Sequence, residues 1–354
     1  MTDAARRYIR LADVAKRLGL TTVAVSKALR DMPDISVGTR ELIKKTAAEM
    51  GYVPNYLAKS LQSNRSNLLG VVVPKIRHPF FAEAVAGIQS AADARGYEMV
   101  LAVSNENAEA ERRHIETFMS MRTAGLLIAV VDNAAGVSAN ADIYRRALTR
   151  DVPLVFFDRI PAEYAHSERA VLMDDRAGAQ AAVSRAIDRG CRKVAHFAVG
   201  DHINVGRERR AGFEAALVAH GIAPRLDWIV HCPMDERGGY DGLRRLWNLS
   251  ERPDAILFSS SPQMLGAMDA LKAMGAAAGN SPLAIFFGLP EAVRFLDIPY
   301  ICAAQPAFDL GARTVEEVLN SVPGEALDRA GRASIIKIPI RIVDDTETIP
   351  LPYL

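Results

Sequence analysis

The chain has 354 residues, too many for one typical domain, and 49% of them are hydrophobic, so two or three domains with substantial cores are expected. Its formal net charge of +1 hides an asymmetry: residues 1–65 carry 12 Lys or Arg against 6 Asp or Glu, whereas the remainder carries 31 against 36. A basic N-terminal segment on an acidic body indicates a nucleic-acid-binding module joined to a domain with another role.

The sequence argues against secreted, membrane and metal-binding classes. The N-terminal stretch MTDAARRYIRLADVAKR has no uninterrupted apolar core, so it is not expected to be a signal peptide. No run approaches the ~20 apolar residues that a membrane-spanning helix needs. Three separated cysteines, Cys191, Cys232 and Cys302, disfavour a disulfide framework and favour a reducing, cytoplasmic location. Nothing near His231 and Cys232 completes a metal-ligand set, so neither a metal nor another cofactor is expected.

Residues 11–30, LADVAKRLGLTTVAVSKALR, have the pattern of a helix-turn-helix. Apolar side chains three and four apart predict a first helix that Gly19 ends, because glycine adopts the left-handed conformation of a tight corner. Thr21 is a suitable N-cap for a second helix, and Ser36 for a third helix over 37–50. The second helix then directs outward the residue types that suit a major groove: Thr22, Val23, Ser26 and Lys27. A helical hairpin with a solvated face is the alternative.

A short segment after the third helix is predicted to be a hinge. Pro54 breaks the helical pattern, and Asn55 can cap a helix of barely two turns over 56–62. So short a helix is marginal alone, since nucleation is unfavourable and little surface is buried, and we expect it to form only against a partner. The polar stretch 63–67, SNRSN, is typical of a linker.

From residue 68 the pattern changes to buried strands that alternate with amphipathic helices. A first set of strands is predicted at 69–73, 97–103, 125–131 and 153–158, with helices at 81–95, 109–121 and 143–149. The order then repeats, with strands at 194–199, 228–231, 255–258 and 283–287 and helices at 207–220, 240–249 and 264–274. Buried strands joined by helices imply parallel sheets. The predicted fold class is therefore α/β, with an N-terminal all-α helix-turn-helix head and two Rossmann-like lobes that enclose a ligand cleft.

The body shows no catalytic motif. No Gly-x-Gly-x-x-Gly sequence follows a predicted strand, and neither a phosphate-binding loop nor a Gly-x-Ser-x-Gly elbow is present. Isolated carboxylates such as Asp158, Asp174 and Asp175 can serve in acid–base chemistry, but at strand ends they more often contact ligands or cap helices. An enzyme is therefore not expected.

Three stretches carry a resemblance to a known family. LADVAKRLGLTTVAVSKALRD, ISVGTRELIKKTAAEMGYVPN and AKSLQSNRSNLLGVVVP resemble the head, hinge and first strand of the lactose/galactose repressor (LacI/GalR) family of bacterial transcription regulators. The similarity continues through the body, for example in HPFFAEAVAGIQSAADARGYEMVLA and AAQPAFDLGARTVEEVL, and covers essentially the whole chain. The body of that family is similar to periplasmic sugar-binding proteins.

The resemblance implies a regulator, most often a repressor, that binds a pseudo-palindromic operator in double-stranded DNA as a homodimer. A small-molecule effector in the cleft, such as a sugar, a sugar derivative or a nucleobase-like compound, would control this binding. By position, Thr22, Val23 and Lys27 would read bases, and a second group would hold phosphates: Thr21, Ser26, Ser36, Thr39 and Asn55. Leu61 matches the leucine that the family inserts into a minor-groove step, with Ala58 beside it.

The resemblance also implies effector contacts at His78, Phe80, Phe81, Asp174, Asn204, Arg209 and Phe258. Their chemistry suits a polar ligand, since Arg209 can fork a carboxylate or two hydroxyls, Asp174 can accept from hydroxyls, and Phe258 can stack on a ring. For Phe81 and Phe258, core packing is an equal alternative.

Two departures from the family bear on the effector. Ser261-Pro262 and Leu289-Pro290 occupy positions where the family commonly has polar contacts, and a proline side chain cannot accept a hydrogen bond. Three alternatives follow: an unusual effector, an effector bound through other residues, or a degenerate, ligand-independent cleft.

The predicted domain boundaries are 1–54 for the DNA-binding head, 55–67 for the hinge and linker, and 68–354 for the body. Within the body, lobe 1 is predicted at about 68–160 and 305–325, and lobe 2 at about 161–304 and 326–354. The chain ends without leucine heptads, which predicts a dimer rather than a tetramer. A periplasmic-type binding protein would share the body, but it would need a signal peptide and would lack the basic head.

Overall fold

The N-terminal head is a three-helix unit. A computed structural model describes residues 9–53, 66–132, 139–150, 152–165, 169–275, 281–288, 298–321 and 334–346. The chain divides into two units between Ser66 and Asn67. In the first unit, α1 (Leu11–Leu18), α2 (Thr22–Leu29) and α3 (Val37–Glu49) confirm the three helices predicted from the sequence.

The ends of these helices are determined by the residues that the sequence singles out. Gly19 ends α1 in the left-handed conformation, with φ of 66°. At the start of α2 the Thr21 hydroxyl accepts from the Ala24 N–H at 3.1 Å, and at the start of α3 the Ser36 hydroxyl accepts from the Thr39 N–H at 3.3 Å. The three helices enclose a small apolar core: Val14, Ala15, Val25, Ala28, Ile43 and Ala47.

Some predictions concern residues outside the described ranges. These are the hinge helix over 56–62 with Asn55, Ala58 and Leu61, the departure at Leu289-Pro290, and the C-terminal end of the chain. They stay predictions.

The body contains two six-stranded sheets in its described residues. The first sheet has the order β2-β1-β3-β4-β5-β11 and consists of β1 (Leu68–Val73), β2 (Glu98–Val103), β3 (Gly125–Ile128), β4 (Leu154–Phe157), β5 (Ala170–Met173) and β11 (Ile335–Ile338). The second has the order β7-β6-β8-β9-β10-β12 and consists of β6 (Val194–Ala198), β7 (Ile229–His231), β8 (Ala255–Phe258), β9 (Leu283–Gly288), β10 (Tyr300–Ala304) and β12 (Arg341–Asp344). Only the β10–β12 pairing is antiparallel among the described strands. The repeated order confirms two Rossmann-like lobes.

Helices cover both faces of each sheet. The first sheet is flanked by α4 (Pro79–Ala94), α5 (Ala108–Ser120), α6 (Ala141–Thr149) and α11 (Ala307–Leu319), and the second by α7 (Asp175–Asp188), α8 (Asn204–Ala219), α9 (Glu236–Trp247) and α10 (Ser261–Ala273). Along β1, Val71 and Val73 join the core with α4 and α11, whereas Val72 joins the core with α5 and α6. Burial on both sides explains the uninterrupted apolar run of this strand. None of the described helices is long and apolar enough to cross a lipid bilayer.

The chain passes between the lobes after β5, after β10 and after β11, and this corrects the predicted lobe boundaries. The boundary after residue 160 is wrong, because β5 finds its backbone hydrogen-bond partners in β4 of the first sheet. The assignment of 326–354 to lobe 2 is wrong for β11, which pairs with β5. With only four residues, β5 carries little pattern, and the apolar run that contains β11 and β12 supplies one strand to each sheet.

Helices α4 and α11 approach each other through glycines. A Cβ atom added at Gly87 would collide with the carbonyl oxygen of Phe308, and one added at Gly311 would collide with that of Ala84. The two backbones therefore touch directly, which leaves no room for a side chain at either position.

We predict that Gly87→Ala lowers the free energy of unfolding of the body by roughly 1–3 kcal/mol, because the backbones must separate to admit the methyl group. Urea denaturation followed by circular dichroism measures the change. Gly38→Ala is the matched control, since a Cβ there meets nothing within 4 Å, and it should leave the head equally stable or more stable. Unchanged stability of Gly87→Ala would contradict the packing described.

Candidate functional site

The start of α2 forms the candidate DNA-reading surface of the head. Thr22 and Val23 are exposed, Val23 with 62% of its surface, while Val25 and Ala28 on the opposite face are buried in the core. The side chains that the sequence assigns to bases are therefore free to meet base edges.

Lys27, one turn further along α2, forms an ion pair with Asp34 in the following loop. The Lys27 ammonium lowers the pKa of the Asp34 carboxyl through this hydrogen bond. Both side chains are substantially exposed, 39% and 48%, so the pair is weak and a DNA group can replace Asp34 at little cost.

The residues assigned to phosphates cluster at helix starts. Thr21 and Ser36 cap α2 and α3, and the Ser36 and Thr39 hydroxyls lie 2.8 Å apart. The first N–H groups of a helix lack intrahelical acceptors and attract anions, and hydroxyls beside them add donors. Ser26 is half-buried on α2.

A second candidate site lies where the two lobes of the body meet, at the carboxyl ends of their strands. Four of the residues predicted to contact an effector line this cavity: His78, Phe80, Phe81 and Arg209. The sequence reasoning did not assign eight further lining residues to this site: Lys75, Glu106, Asp158, Arg159, Val205, Met234, Ser260 and Gln305. The cavity has a volume of about 40 Å³, room for about three water molecules.

Arg159 is the central charged residue of the first-lobe wall. Its Nη1 donates to both carboxylate oxygens of Glu106 at 3.0 and 3.2 Å, and its guanidinium lies 5.5 Å from the centre of the Phe81 ring. Its Nε is buried without a hydrogen-bond acceptor, and the Asp158 Oδ2 atom is 3.7 Å away. One N–H donor of a buried cation is therefore unsatisfied in a residue that lines the cavity.

Asp158, next to Arg159, combines a strained backbone with a buried carboxyl. Its φ of 59° is in the left-handed region that non-glycine residues rarely adopt, and hydrogen bonds hold it there: its N–H donates to Val171 and its carbonyl accepts from Asn204. Burial raises the pKa of the carboxyl to about 7, although Arg159 opposes the shift. A strained, buried residue that titrates near neutrality in a cleft is typical of a functional site.

Arg209 on α8 is the charged residue of the second-lobe wall. Its Nε and Nη2 both lie 2.8 Å from the Asp175 Oδ1 atom, its Nη1 donates to the Ser259 carbonyl, and its guanidinium lies 3.9 Å from the centre of the Phe287 ring. Burial raises the pKa of Asp175, and Arg209 counteracts this. The Asp175 Oδ2 atom has no hydrogen-bond partner.

Three of the predicted effector contacts lie elsewhere. Asp174 pairs with Lys337 at 3.5 Å, and the adjacent Asp175 is the carboxylate that meets Arg209. Phe258 has no exposed surface and packs edge-on against Phe197 in the core beneath the second sheet. Asp174 and Phe258 are therefore not among the residues that line this cavity, and their effector contacts stay predictions.

Asn204, also predicted as an effector contact, connects the two lobes instead. It begins α8 in the second lobe, where its Oδ1 accepts from the Ile160 N–H at 3.0 Å and its Nδ2 donates to the Asp158 carbonyl at 2.9 Å. His202 in the preceding loop makes a second connection, through a hydrogen bond between its Nε2 atom and the Asp132 carboxylate of the first lobe. These contacts hold the lobes in their present arrangement.

His78 stands at the start of α4 and faces this charged surrounding. Burial, together with the positive charges of Arg159, Arg209 and Lys75, lowers the pKa of His78 to about 4, so its imidazole is neutral at physiological pH. No three His, Cys, Asp or Glu side chains come together as a metal-ligand set in the described ranges.

Four of the lining residues that were not predicted from the sequence share a position that could have identified them, at the ends of strands. Lys75, Glu106 and Ser260 follow β1, β2 and β8, and Gln305 follows β10, so all four lie at carboxyl ends of strands. In doubly wound sheets this edge carries the ligand site, so polar residues just after each predicted strand were candidates.

Comparison with protein families gives matches over nearly the whole chain. Residues 10–55 match the family described as "Bacterial regulatory proteins, lacI family". Residues 66–344 match "Periplasmic binding proteins and sugar binding domain of LacI family".

Individual relatives agree with these matches. The ribose operon repressor of Haemophilus influenzae is 27% identical over 312 residues, which are 88% of this chain and 91% of the relative. The transcriptional repressor CytR of Escherichia coli K12 is 24% identical over 331 residues, 94% of this chain and 95% of the relative.

Solved structures show the same fold. A putative ribose operon repressor from Burkholderia thailandensis is 29% identical with a TM-score of 0.69, over 79% of this chain and 99% of that chain. The lac repressor dimer bound to operator and the anti-inducer ONPF is 22% identical with a TM-score of 0.80, over 95% of this chain and 98% of that chain.

We predict that Arg209→Ala lowers the free energy of unfolding of the body at pH 8 by roughly 3–5 kcal/mol, because it leaves the Asp175 carboxylate buried without a counter-charge. The loss should be smaller at pH 5. Without Arg209 the pKa of Asp175 rises further above its unfolded value, so the folded state favours the protonated form and loses stability as pH rises.

Urea denaturation of the wild type and of Arg209→Ala at pH 8 and at pH 5 tests this expectation. Arg237→Ala is the matched control, because that arginine is 83% exposed and its pair with Asp241 contributes little. Adding Asp175→Asn to Arg209→Ala should recover part of the loss, and a double variant no more stable than Arg209→Ala would contradict the stated cause.

Proposed function

The chain belongs to the lacI family of bacterial regulatory proteins, and we propose that it represses transcription by binding a pseudo-palindromic DNA operator as a homodimer under the control of a small-molecule effector. The observation that carries this proposal is the pairing of two parts in one chain. A basic helix-turn-helix head presents an exposed helix start, and a two-lobed body encloses a cleft lined by charged and polar side chains. Because the operator is genomic DNA, we place the protein in the bacterial cytoplasm. The relatives named as repressors support a regulator rather than an enzyme.

In this proposal the head reads DNA with the first turn of α2. Thr22, Val23 and Lys27 meet base edges in the major groove, while the caps Thr21 and Ser36 hold phosphates. The hinge segment predicted over 56–62, with Ala58 and Leu61, orders on the operator and inserts into the minor groove. A twofold dimer places two such heads on the two half-sites.

The body controls the head through the arrangement of its lobes. An effector that contacts both walls of the cleft favours one arrangement, and it can change operator affinity only by its differential affinity for the two arrangements. Arg209 and Phe81 on opposite walls are proposed contacts, together with His78 and Phe80.

A second candidate is a regulator whose cleft no longer takes an effector. The small cavity, about 40 Å³, favours it, because a sugar-sized molecule enters only after the lobes separate. A thermal-shift screen separates the two, since a ligand that binds only the folded body raises its unfolding midpoint.

We predict that Lys27→Ala weakens binding to the operator by roughly 1–3 kcal/mol, because the exposed ammonium is lost from the reading surface. The operator is the site that the wild-type protein selects from a random DNA pool, and fluorescence anisotropy at fixed salt measures affinity.

Lys45→Ala is the matched control, because it removes the same charge from a lysine on α3 that is 76% exposed. The operator affinity of Lys45→Ala should stay within about twofold of wild type, and any small loss should depend on salt concentration because one positive charge is removed. Equal weakening by both variants would show that Lys27 acts only through net charge, and failure of the wild type to select any DNA site would refute the proposed function.

A further inference from the structure

The cleft has a chemical preference that bears on the identity of the effector, and this inference rests on the proposed function. We propose that the effector is a small organic anion whose carboxylate or phosphate group lies against Lys75, Arg159 and Asp158 in the first lobe. The second wall, with Val205, Met234 and Ser260, then contacts the uncharged part of the molecule.

Two carboxylates near the cavity, those of Glu106 and Asp175, are already engaged by arginines. Both oxygens of Glu106 accept from Arg159, and Oε2 also accepts from the Asp132 N–H at 2.8 Å. Asp175 is paired with Arg209, and although its Oδ2 atom has no partner, Asp175 is not one of the residues that line the cavity. These two carboxylates are therefore not free to accept from the hydroxyl groups of a neutral ligand.

Two unused groups of the described lining are cationic donors. Arg159 is 5% exposed, and its Nε–H has no acceptor. Lys75 is exposed at the mouth of the cavity, and no carboxylate of the described residues forms an ion pair with it. A buried N–H without an acceptor and a free ammonium at one wall are what a carboxylate or phosphate group satisfies.

Two helix starts add to this positive character. α4 begins beside the cavity with Phe80 and Phe81, and α8 begins beside it with Val205. The N-terminal ends of helices carry partial positive charge, so both favour an anion between them.

Asp158 fits an anion when it is protonated. Its surroundings contain Arg159 beside it, Glu106 from the β2–α5 loop, Arg209 from α8 and Asp175 from α7, and burial is the largest cause that raises its pKa to about 7. In the acid form it donates a hydrogen bond to the ligand, and a bound anion raises its pKa further. Binding is therefore accompanied by proton uptake, and affinity falls as pH rises above 7.

The first experiment compares matched charged and neutral probes on the full-length protein at constant ionic strength. Thermal shift and calorimetry use D-gluconate against D-glucose, D-ribose 5-phosphate against D-ribose, and inorganic phosphate alone. We expect a charged probe to raise the unfolding midpoint while its neutral partner does not, and the two pairs distinguish a carboxylate from a phosphate ligand. Lys75→Ala should weaken that binding roughly tenfold. Lys272→Ala, an exposed lysine at the far end of α10, should leave it unchanged.

Stabilisation by neutral probes only, equal affinities of wild type and Lys75→Ala, or no stabilisation by any anion would each overturn the inference. A neutral probe that alters operator binding would leave the proposed function intact. An anion that binds without altering operator binding would leave the inference intact and contradict the proposed control.

The second experiment measures the pH dependence of the charged probe that binds. Between pH 7 and 8.5 we expect wild-type affinity to fall roughly tenfold, whereas Asp158→Asn should lose most of this dependence. Asparagine keeps the shape, tolerates the left-handed backbone and does not titrate. A pH dependence equal in the two proteins would exclude Asp158 from the anion site.

Discussion

Each lobe neutralises its own buried arginine, and the cleft depends on this arrangement. Glu106 accepts from Arg159 within the first lobe, and Asp175 accepts from Arg209 within the second. Removing one member of a buried pair is costly because the other charge is left in a poorly solvated place. Since neither pair crosses the cleft, the lobes can separate without breaking one. Each arginine would therefore keep its carboxylate partner if the lobes moved apart.

Among the described residues, the side-chain hydrogen bonds that cross the cleft are individually modest. Asn204 makes two hydrogen bonds to the backbone of the first lobe, and His202 pairs with Asp132. Hydrogen bonds contribute about 1 kcal/mol each, and those to charged groups about 1.5–3. Reversing a 1:99 population of two arrangements needs about 5.5 kcal/mol of differential binding. That is the scale of a few charge-assisted contacts, so a small ligand that bridges both walls can control the lobes.

Local signals made the head predictable, because Gly19, Thr21 and Ser36 act within one helical turn of themselves. The lobe boundaries could not be predicted in the same way. Whether β5 and β11 belong to the first sheet depends on pairing between segments that are distant in the sequence. In the site, sequence cannot tell which of Asp174 and Asp175 meets Arg209, because that depends on where α7 begins. For Phe258 the sequence left core packing and ligand contact as equal alternatives, because a strand buried on both faces gives no sign of which side chains face a cavity.

The first turn of α10 helps to explain why the two walls of the cavity differ in charge. Ser260 caps this helix by accepting from the Gln263 N–H, and Pro262 follows in the first turn, where a missing N–H costs little. An aspartate would suit the cap position equally well, but the serine brings no charge to the cavity. Arg209 is then the one charged residue in the described lining of the second lobe, and Asp175 neutralises it. In the first lobe Arg159 is likewise paired, with Glu106, but Lys75 has no ion-pair partner among the described residues. In the proposed site the first lobe therefore meets the charged group of the ligand and selects its class, while the second lobe contacts the rest of the molecule.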